Sequence, residues 1–215
     1  MEHGMDGSAA RTGEANLVAV IDIDACDQKI RDMHRALDGL RRENRVLKIA
    51  VAELERVAER DTLTPLYNRR HFITALHQRI ARVARDIDCA SLVYIDVNQL
   101  KTINERYGHA AGDYALIEIA RRLTGAIRAG DIAARIGGDE FGLILDHMTA
   151  KDAQGLVVRF AQLLSDVPVM FDGHAIALSA CFGIATIAGD MTEADVLAAA
   201  DRDLYRAKAG QRGTA

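Results

Sequence analysis

The chain has 215 residues, of which 49% are hydrophobic and 27% are charged, a composition typical of globular proteins and not of disordered ones. The formal net charge of −4 disfavours a protein that binds nucleic acid over its whole surface, because such proteins are usually basic. The three cysteines have no paired spacing, which favours reduced thiols over a disulfide framework.

The N-terminal region shows no targeting pattern. It lacks a basic stretch followed by an apolar one, and no segment of the chain approaches the about 20 apolar residues of a membrane span. We therefore expect a cytoplasmic protein without a membrane span. Residues 1–24 are predicted to be a flexible segment, although residues 17–24 fit either a short strand or the start of a helix.

Residues 25–60 are predicted to form a dimerising coiled-coil helix. Apolar residues recur every seven positions in two sets three residues apart, which is the pattern of a and d positions in a coiled coil. A single Asn among apolar a positions favours a parallel two-stranded arrangement. The other interpretation is an amphipathic helix packed on its own domain. The a positions are Ile30, Leu37, Asn44, Val51 and Ala58, and the d positions are Met33, Leu40, Leu47 and Leu54.

Residues 61–215 alternate between helix-like and strand-like patterns, which predicts an α/β domain with a mixed central sheet covered by helices. Helices are predicted at residues 68–84, 113–129, 150–165 and 193–208. Strands are predicted at 90–96, 168–171 and 174–187, with a turn after residue 96.

A hairpin is predicted at residues 133–145, where two short apolar runs flank Gly137 and Gly138. Gly-Gly favours a two-residue turn, because such turns need positive φ angles. Asp139 and Glu140 follow at once, and adjacent carboxylates on a rigid turn can hold a divalent metal against phosphate oxygens. Taken alone, the same pattern also fits a polar turn with solvated acids.

Asp96 ends an apolar strand, a position where metal ligands are common in α/β sheets, although a turn-capping role fits it equally well. Lys101 supplies a positive charge that suits phosphate, and Asn104 offers a donor and an acceptor that suit the edge of a base. Asp113 adds a second acid, or it caps the following helix.

These elements together resemble the GGDEF family of diguanylate cyclases. Residues 61–70 read Asp-Thr-Leu-Thr-Pro-Leu-Tyr-Asn-Arg-Arg, close to an opening motif of that family, and the Gly-Gly-Asp-Glu-Phe signature is intact at 137–141. Lys208 and Arg212 match a Lys-x-x-x-Arg pair near the end of the domain. Several ordered motifs in one chain are far more specific than any one of them.

The resemblance implies a nucleotidyl-cyclase, palm-like domain that uses two divalent cations, Mg²⁺ or Mn²⁺. Asp96 and Asp139 would hold the cations with help from the Val97 carbonyl. Glu140 would be the remaining active-site carboxylate, binding metal and assisting deprotonation of the ribose 3′-OH. Asp139 and Lys101 would complete the catalytic set.

For the substrate, GTP, the resemblance implies that Asn104 and Asp113 read the guanine edge. The triphosphate would be neutralised by cations and held by backbone N–H groups, and the two glycines would let the backbone approach the nucleotide. The residues implied for triphosphate and backbone contact are Gln99, Leu100, Lys101, Gly137, Gly138, Lys208 and Arg212.

The reaction implied is condensation of two GTP into cyclic di-GMP and two pyrophosphates. Because each domain would bind one GTP, two domains must face each other, which connects the reaction to a homodimer through residues 25–60. No recognisable sensory domain fits in the N-terminal residues, so a regulatory partner acting there is a further expectation.

Arg128 and Asp131 match the family's Arg-x-x-Asp site, which binds the product and inhibits, and Arg159 on the next helix would add a second contact. The plain interpretation is a helix-end Arg and a turn Asp.

For the whole chain, the other interpretations are an inactive domain that binds GTP or cyclic di-GMP and signals through a partner, a different nucleotidyl cyclisation, and a coiled-coil scaffold.

Overall fold

The computed structural model describes residues 23–85 and 89–212, with the side chains of 23–26, 52–53, 55–57 and 211–212 excepted. The chain divides into two compact units, Met1–Glu53 and Leu54–Ala215. The predicted segment 1–24 lies outside the described residues apart from its last two. Among the described residues, no helix is both long enough and apolar enough to cross a membrane.

Helix α1 (Ile23–Glu59) contains the predicted coiled-coil segment. Its apolar a and d side chains are exposed, from 43% for Leu37 to 70% for Leu54. Ion pairs one turn apart, such as Asp32–Arg35 at 2.8 Å, support the helix on its polar face. The helix itself is confirmed, and its pairing with a second chain stays a prediction.

The second unit is built on a mixed five-stranded sheet in the order β1-β3-β4-β2-β7. Only β1 and β3 run parallel, and the other neighbours are antiparallel. The strands are β1 (Tyr67–Asn68), β2 (Ala90–Val97), β3 (Ile132–Arg135), β4 (Glu140–Asp146) and β7 (Ala180–Ile187). A separate hairpin joins β5 (Val169–Phe171) and β6 (His174–Ile176).

Helices cover both faces of the sheet. They are α2 (Arg69–Val83), α3 (Leu100–Tyr107), α4 (His109–Ala126), α5 (Ala150–Asp166) and α6 (Glu193–Arg212). The predicted helices at 68–84, 150–165 and 193–208 and the predicted strand at 90–96 are thus confirmed. Successive side chains of β2 alternate between two cores: Val93 and Ile95 pack with α4 and α5, whereas Leu92 packs with Phe72 and Leu76 of α2.

Three local predictions were wrong. The predicted turn after β2 contains helix α3, and α4 begins at His109 rather than at Asp113. The predicted strand at 174–187 is two strands, β6 and β7, in different sheets.

The β3–β4 connection also differs from the prediction. Strand β3 ends at Arg135 and β4 begins at Glu140, so four residues connect them. Among the described glycines, those with positive φ are Gly108 and Gly173, not the Gly-Gly pair. A longer connection closes without left-handed backbone. The two-residue turn with positive φ lies instead between β5 and β6, at Asp172 (φ 46°) and Gly173 (φ 78°).

Candidate functional site

The end of β2 and the start of β4 bring two predicted site carboxylates side by side. The antiparallel register pairs Asp96 directly with Glu140, and directly opposed residues project on the same face of a sheet with Cβ atoms about 5 Å apart. The Val97 N–H donates to the Asp139 carbonyl at 3.0 Å. The strand pairing therefore gathers Asp96, Val97, Asp139 and Glu140 where these two central strands meet at one end of the sheet.

A groove of about 530 Å³ lies at this end of the sheet. Its lining includes Asp96, Val97 and Asp139 together with Lys101 and Lys208. Carboxylate and carbonyl oxygens are the ligands that Mg²⁺ prefers, so this donor set fits the metal that the sequence predicts. Among the described residues, no group of three or more His, Cys, Asp and Glu side chains is arranged to hold a metal ion.

Lys208 of α6 reaches this groove and forms an ion pair with Asp96, with 2.7 Å between Nζ and Oδ2. The Asp96 carboxylate, of which 16% is exposed, thus carries a neutralising ammonium group beside it. Arg212 is in the last turn of α6, and its side chain lies outside the described residues.

Glu140 faces a different cavity, of about 430 Å³, that lies between α2 and α6 and is also lined by Arg69, Tyr94 and Asp201. Burial raises the pKa of the Tyr94 hydroxyl, and the negative charges of Glu140 and Asp201 raise it further, while Arg69 opposes them. Glu140 is therefore beside Asp96 in the sheet, but its side chain borders a cavity separate from the groove that Asp139 lines.

A second groove, of about 580 Å³, adjoins the first between α3 and α4. Asn104, Asp113, Gly138 and Asp139 all line it. Leu100, Lys101 and Asp139 line both grooves, so the predicted base-reading and phosphate-binding residues share one continuous surface. The volume of the second groove falls in the usual range for small-molecule sites.

Gly112 is required for the position of Asn104. A Cβ on Gly112 would overlap the Asn104 side-chain amide, whose Oδ1 and Cγ lie directly over it. The absence of a side chain in α4 thus lets the α3 amide lie against it. Gly137 does not line either groove, and a Cβ there would meet the Glu140 carboxylate, whereas Gly138 has open space around it.

Helix α3 begins inside the groove. Its N-cap, Gln99, has a left-handed backbone with φ 57° and gives no side-chain cap to the helix. The first N–H groups of a helix have no intrahelical partner, and they attract anions. Gln99, Leu100 and Lys101 line the groove at this helix start, which is where the sequence predicts phosphate contacts.

Arg135 is a residue that sequence reasoning missed. Its guanidinium donates to the Gly138 carbonyl at 2.8 Å and pairs with Asp61 at 3.3 Å, so it connects the tip of the β3–β4 hairpin to the start of the domain. Burial alone would raise the pKa of Asp61, but hydrogen bonds from Thr64 and the charge of Arg135 outweigh it and lower that pKa. The sequence feature that could have indicated this role is the position of Arg135, a single charged residue between apolar residues just before the two glycines.

Arg128 and Asp131 lie together at a third cavity of about 560 Å³, which Arg60, Tyr67 and Arg121 also line. Arg60 stacks over the Tyr67 ring at 3.9 Å, and neither residue was predicted here. Asp131 is buried, and its two oxygens accept the Arg128 and Asp146 N–H groups, each at 2.9 Å. Arg159 is exposed on α5 and is not among the residues that line this cavity.

Residues 58–214 match a family model described as "Diguanylate cyclase, GGDEF domain". The chain is 36% identical over 157 residues to MucR of Pseudomonas aeruginosa, a bifunctional diguanylate cyclase/cyclic di-GMP phosphodiesterase. The match covers 73% of the chain and 23% of MucR. The chain thus spans less than a quarter of the length of this curated relative.

Two solved structures share the fold. A sensory box/GGDEF family protein from Caulobacter crescentus is 37% identical with a TM-score of 0.66, covering 71% of this chain and 99% of that one. The diguanylate cyclase SiaD of Pseudomonas aeruginosa, in complex with its activator SiaC, is 27% identical with a TM-score of 0.74, covering 87% of this chain and 72% of that one.

Proposed function

Because the chain belongs to the GGDEF family of diguanylate cyclases, we propose that it condenses two GTP into cyclic di-GMP and two pyrophosphates. One observation carries the proposal: a continuous surface joins Asp96 and Asp139 at the end of the central strands to Asn104 and Asp113 between α3 and α4. A surface with carboxylates at one end and an amide and a carboxylate at the other suits a metal-bound triphosphate and a guanine.

In this proposal Asp96, Asp139 and the Val97 carbonyl hold two divalent cations, Mg²⁺ or Mn²⁺, and Glu140 contributes a further carboxylate. When bound, the cations neutralise phosphate charge and align the reacting oxygens. The hard-oxygen donors of the groove are consistent with that chemistry. The strand pairing sets Glu140 opposite Asp96 along the backbone, and the Glu140 side chain borders the cavity between α2 and α6.

The guanine is held between α3 and α4. Asp113 accepts hydrogen bonds from the base N1–H and exocyclic amine, which adenine does not offer as a pair, so this acid selects guanine. Asn104 contacts the same edge. Lys101, Lys208 and Arg212 neutralise the triphosphate, helped by the N–H groups near Gln99 and Leu100 and by the open approach at Gly138.

In the reaction, the ribose 3′-oxygen of each nucleotide forms a bond to the α-phosphorus of the other. The bond from that phosphorus to pyrophosphate breaks, and the 3′-OH proton leaves with assistance from Glu140. The activation barrier arises mainly from phosphate charge and from alignment of the reacting atoms, and positively charged side chains and positioned hydrogen-bond donors lower it.

Two domains are needed, since each holds one nucleotide. We propose a parallel homodimer through the coiled-coil segment 25–60, with the catalytic domain at 61–215. A short tether raises the effective concentration of one domain around the other into about the mM range. The exposed apolar stripe of α1 supports this part of the proposal.

Product inhibition at the cavity of Arg128 and Asp131 is a further part of the proposal, with Arg159 as an added contact. Three arginines at this cavity, Arg60, Arg121 and Arg128, suit a phosphodiester ligand. Both Asp131 oxygens accept backbone N–H groups, from Arg128 and Asp146, which holds the loop that carries Arg128 in shape beside this cavity.

The N-terminal region is the proposed place of regulation by a partner. SiaD, to which this chain is similar, was solved with its activator. We place the protein's action in the cytoplasm, where GTP is available.

The test is incubation of the purified protein with GTP and Mg²⁺, with products separated by chromatography. Cyclic di-GMP from the parent and at least about a hundred-fold less from Glu140→Gln is the expected result, since the variant keeps the shape and loses the carboxylate charge. GTP binding without product, in protein first stripped of bound cyclic di-GMP, would favour the inactive effector instead.

A further inference from the structure

Helix α6 delivers Lys208 to the groove, and its position along the sheet decides whether that ammonium reaches Asp96. The helix lies on β7 and β2, with Val196, Ala200 and Leu204 buried against the sheet. Lys208 follows four residues after Leu204, about one turn further along the helix. A slide of α6 by part of a turn would therefore separate Lys208 from Asp96.

A polar contact between α6 and β7 opposes such a slide. The Ile184 N–H of β7 donates to Asp203 Oδ2 at 2.9 Å. Strand β7 is at the edge of the sheet, so its outward N–H groups have no neighbouring strand to accept them. Asp203 is half-buried, which strengthens a charge-assisted hydrogen bond of this kind.

The contact works at close range because the neighbouring residue of β7 is Gly183. A Cβ there would overlap the Ala200 carbonyl and the Leu204 backbone nitrogen, so helix and strand touch through their backbones. Asp203 lies between these two helix residues in sequence. Van der Waals contact sets the depth of α6 on the sheet, and the Asp203 hydrogen bond sets its position along the strand.

We propose that Asp203 is a positioning residue that holds α6 in the register in which Lys208 reaches the groove. The part that concerns nucleotide rests on the proposed function, because it assumes that Lys208 contacts the triphosphate. The part that concerns the Lys208–Asp96 ion pair does not, because both partners of that pair belong to the protein itself.

The test is a double-mutant cycle of Asp203→Ala and Lys208→Ala with two readouts, equilibrium binding of a fluorescent GTP analogue and urea unfolding. Asp203→Ala is expected to weaken nucleotide binding about five-fold in the parent and to change it little in the Lys208→Ala background. Likewise, Lys208→Ala should lower the free energy of unfolding by a smaller amount in the Asp203→Ala background than in the parent. Asp203→Asn keeps an oxygen acceptor and should retain parental binding.

A matched control lies at the other end of the same helix. Asp195 is exposed in the first turn of α6 and accepts the Thr192 N–H at 2.9 Å. Asp195→Ala should lower the melting temperature and leave nucleotide binding unchanged, which separates general destabilisation from loss of register.

The proposal is overturned if Asp203→Ala has the same effect with and without Lys208 in both readouts. It is also overturned if Asp195→Ala and Asp203→Ala weaken nucleotide binding equally. If the parent binds no GTP, the proposed function fails, and the unfolding cycle still decides the role of Asp203.

Discussion

At the scale of single residues, the Asp61–Arg135 pair joins two motifs that are 74 residues apart. Arg135 also donates to the Gly138 carbonyl, so the pair determines where the hairpin tip lies relative to the start of the domain. Asp61 accepts hydrogen bonds from the Thr64 backbone and hydroxyl, both at 2.8 Å. A charged Asp61 is therefore favoured in the folded state, and its pKa is lowered.

This lowered pKa predicts a pH dependence of stability. Asp61 stays ionised to lower pH in the folded protein than in the unfolded chain, where the pKa of an Asp is about 3.9. The stabilisation is fully present above that value and is lost as pH falls through the lower folded pKa. We expect Asp61→Asn to lower the free energy of unfolding at pH 7. As pH falls and Asp61 of the parent becomes protonated, the free energies of unfolding of the two proteins should become equal.

Urea unfolding of both proteins between pH 7 and pH 2.5 measures this difference. Asp166 is an exposed acid that accepts a local hydrogen bond from the neighbouring Ser165 hydroxyl, so Asp166→Asn is the matched control and should show no such convergence. A gap between parent and Asp61→Asn that does not narrow in acid would contradict the role given to the Asp61 charge.

At the scale of elements, the closeness of α3 and α4 shapes the predicted guanine end of the groove. Sequence patterns predicted α4 but missed α3, because α3 has eight residues and buries only Ile103, too little for a helical period to be visible. Gly108, with φ 85°, ends α3 and starts α4, so the chain turns sharply between them. Asn104 and Asp113 face one groove as a result.

The steric role of Gly112 gives a prediction for this pair of helices. Gly112→Ala should displace the Asn104 amide and weaken GTP binding by about ten-fold or more, since a base loses a paired hydrogen-bonding edge. Gly125→Ala makes the same change in the same helix where nothing lies within 4 Å of the new methyl group. That control should keep GTP affinity and gain slightly in stability.

Calorimetric titration with GTP and Mg²⁺ compares the two variants with the parent. Equal affinities for all three proteins would show that Asn104 does not depend on Gly112, or that it does not contact the nucleotide. Thermal melts of both variants establish that the fold is intact.

At the scale of the whole molecule, the proposed reaction needs two copies of the chain, and α1 carries an exposed apolar stripe. Leu40 and Leu47 are exposed by 63% and 57%, and both are d positions in the predicted heptads. Buried in a dimer, each leucine would contribute about 2 kcal/mol. Dimer geometry would then control how often two loaded domains meet.

Replacing Leu40 and Leu47 together with Gln should abolish dimerisation and reduce the rate of cyclic di-GMP formation at least about ten-fold at nanomolar protein, with partial recovery at high concentration. The matched control replaces Val46 and Ile49 with Gln, because both are equally exposed on α1 but lie outside the a and d positions. Sedimentation velocity and initial rates over a concentration series measure both pairs. Full activity in a monomeric Leu40/Leu47 variant would refute the coupling.

The sequence by itself was sufficient to identify the family and the alternation of helices and strands, because these depend on local periodicity and on motifs whose members are close in the chain. The roles it predicts for the site residues stay predictions. It misjudged the Gly-Gly turn: the positive φ angles that Gly-Gly suggested lie at Asp172 and Gly173, in a separate hairpin. Turn type depends on where the flanking strands stop pairing. Here four residues, 136–139, connect the paired strands, twice the length of a two-residue turn.

Only the tertiary structure decided which distant residues meet. The Lys208–Asp96 ion pair, the Arg135–Asp61 pair and the Asp203–Ile184 hydrogen bond all join separate elements of the fold. Each depends on strand register and on the depth at which a helix packs, and no local pattern in the chain carries that information. The sequence determined which chemical groups are available, and packing determined where those groups lie.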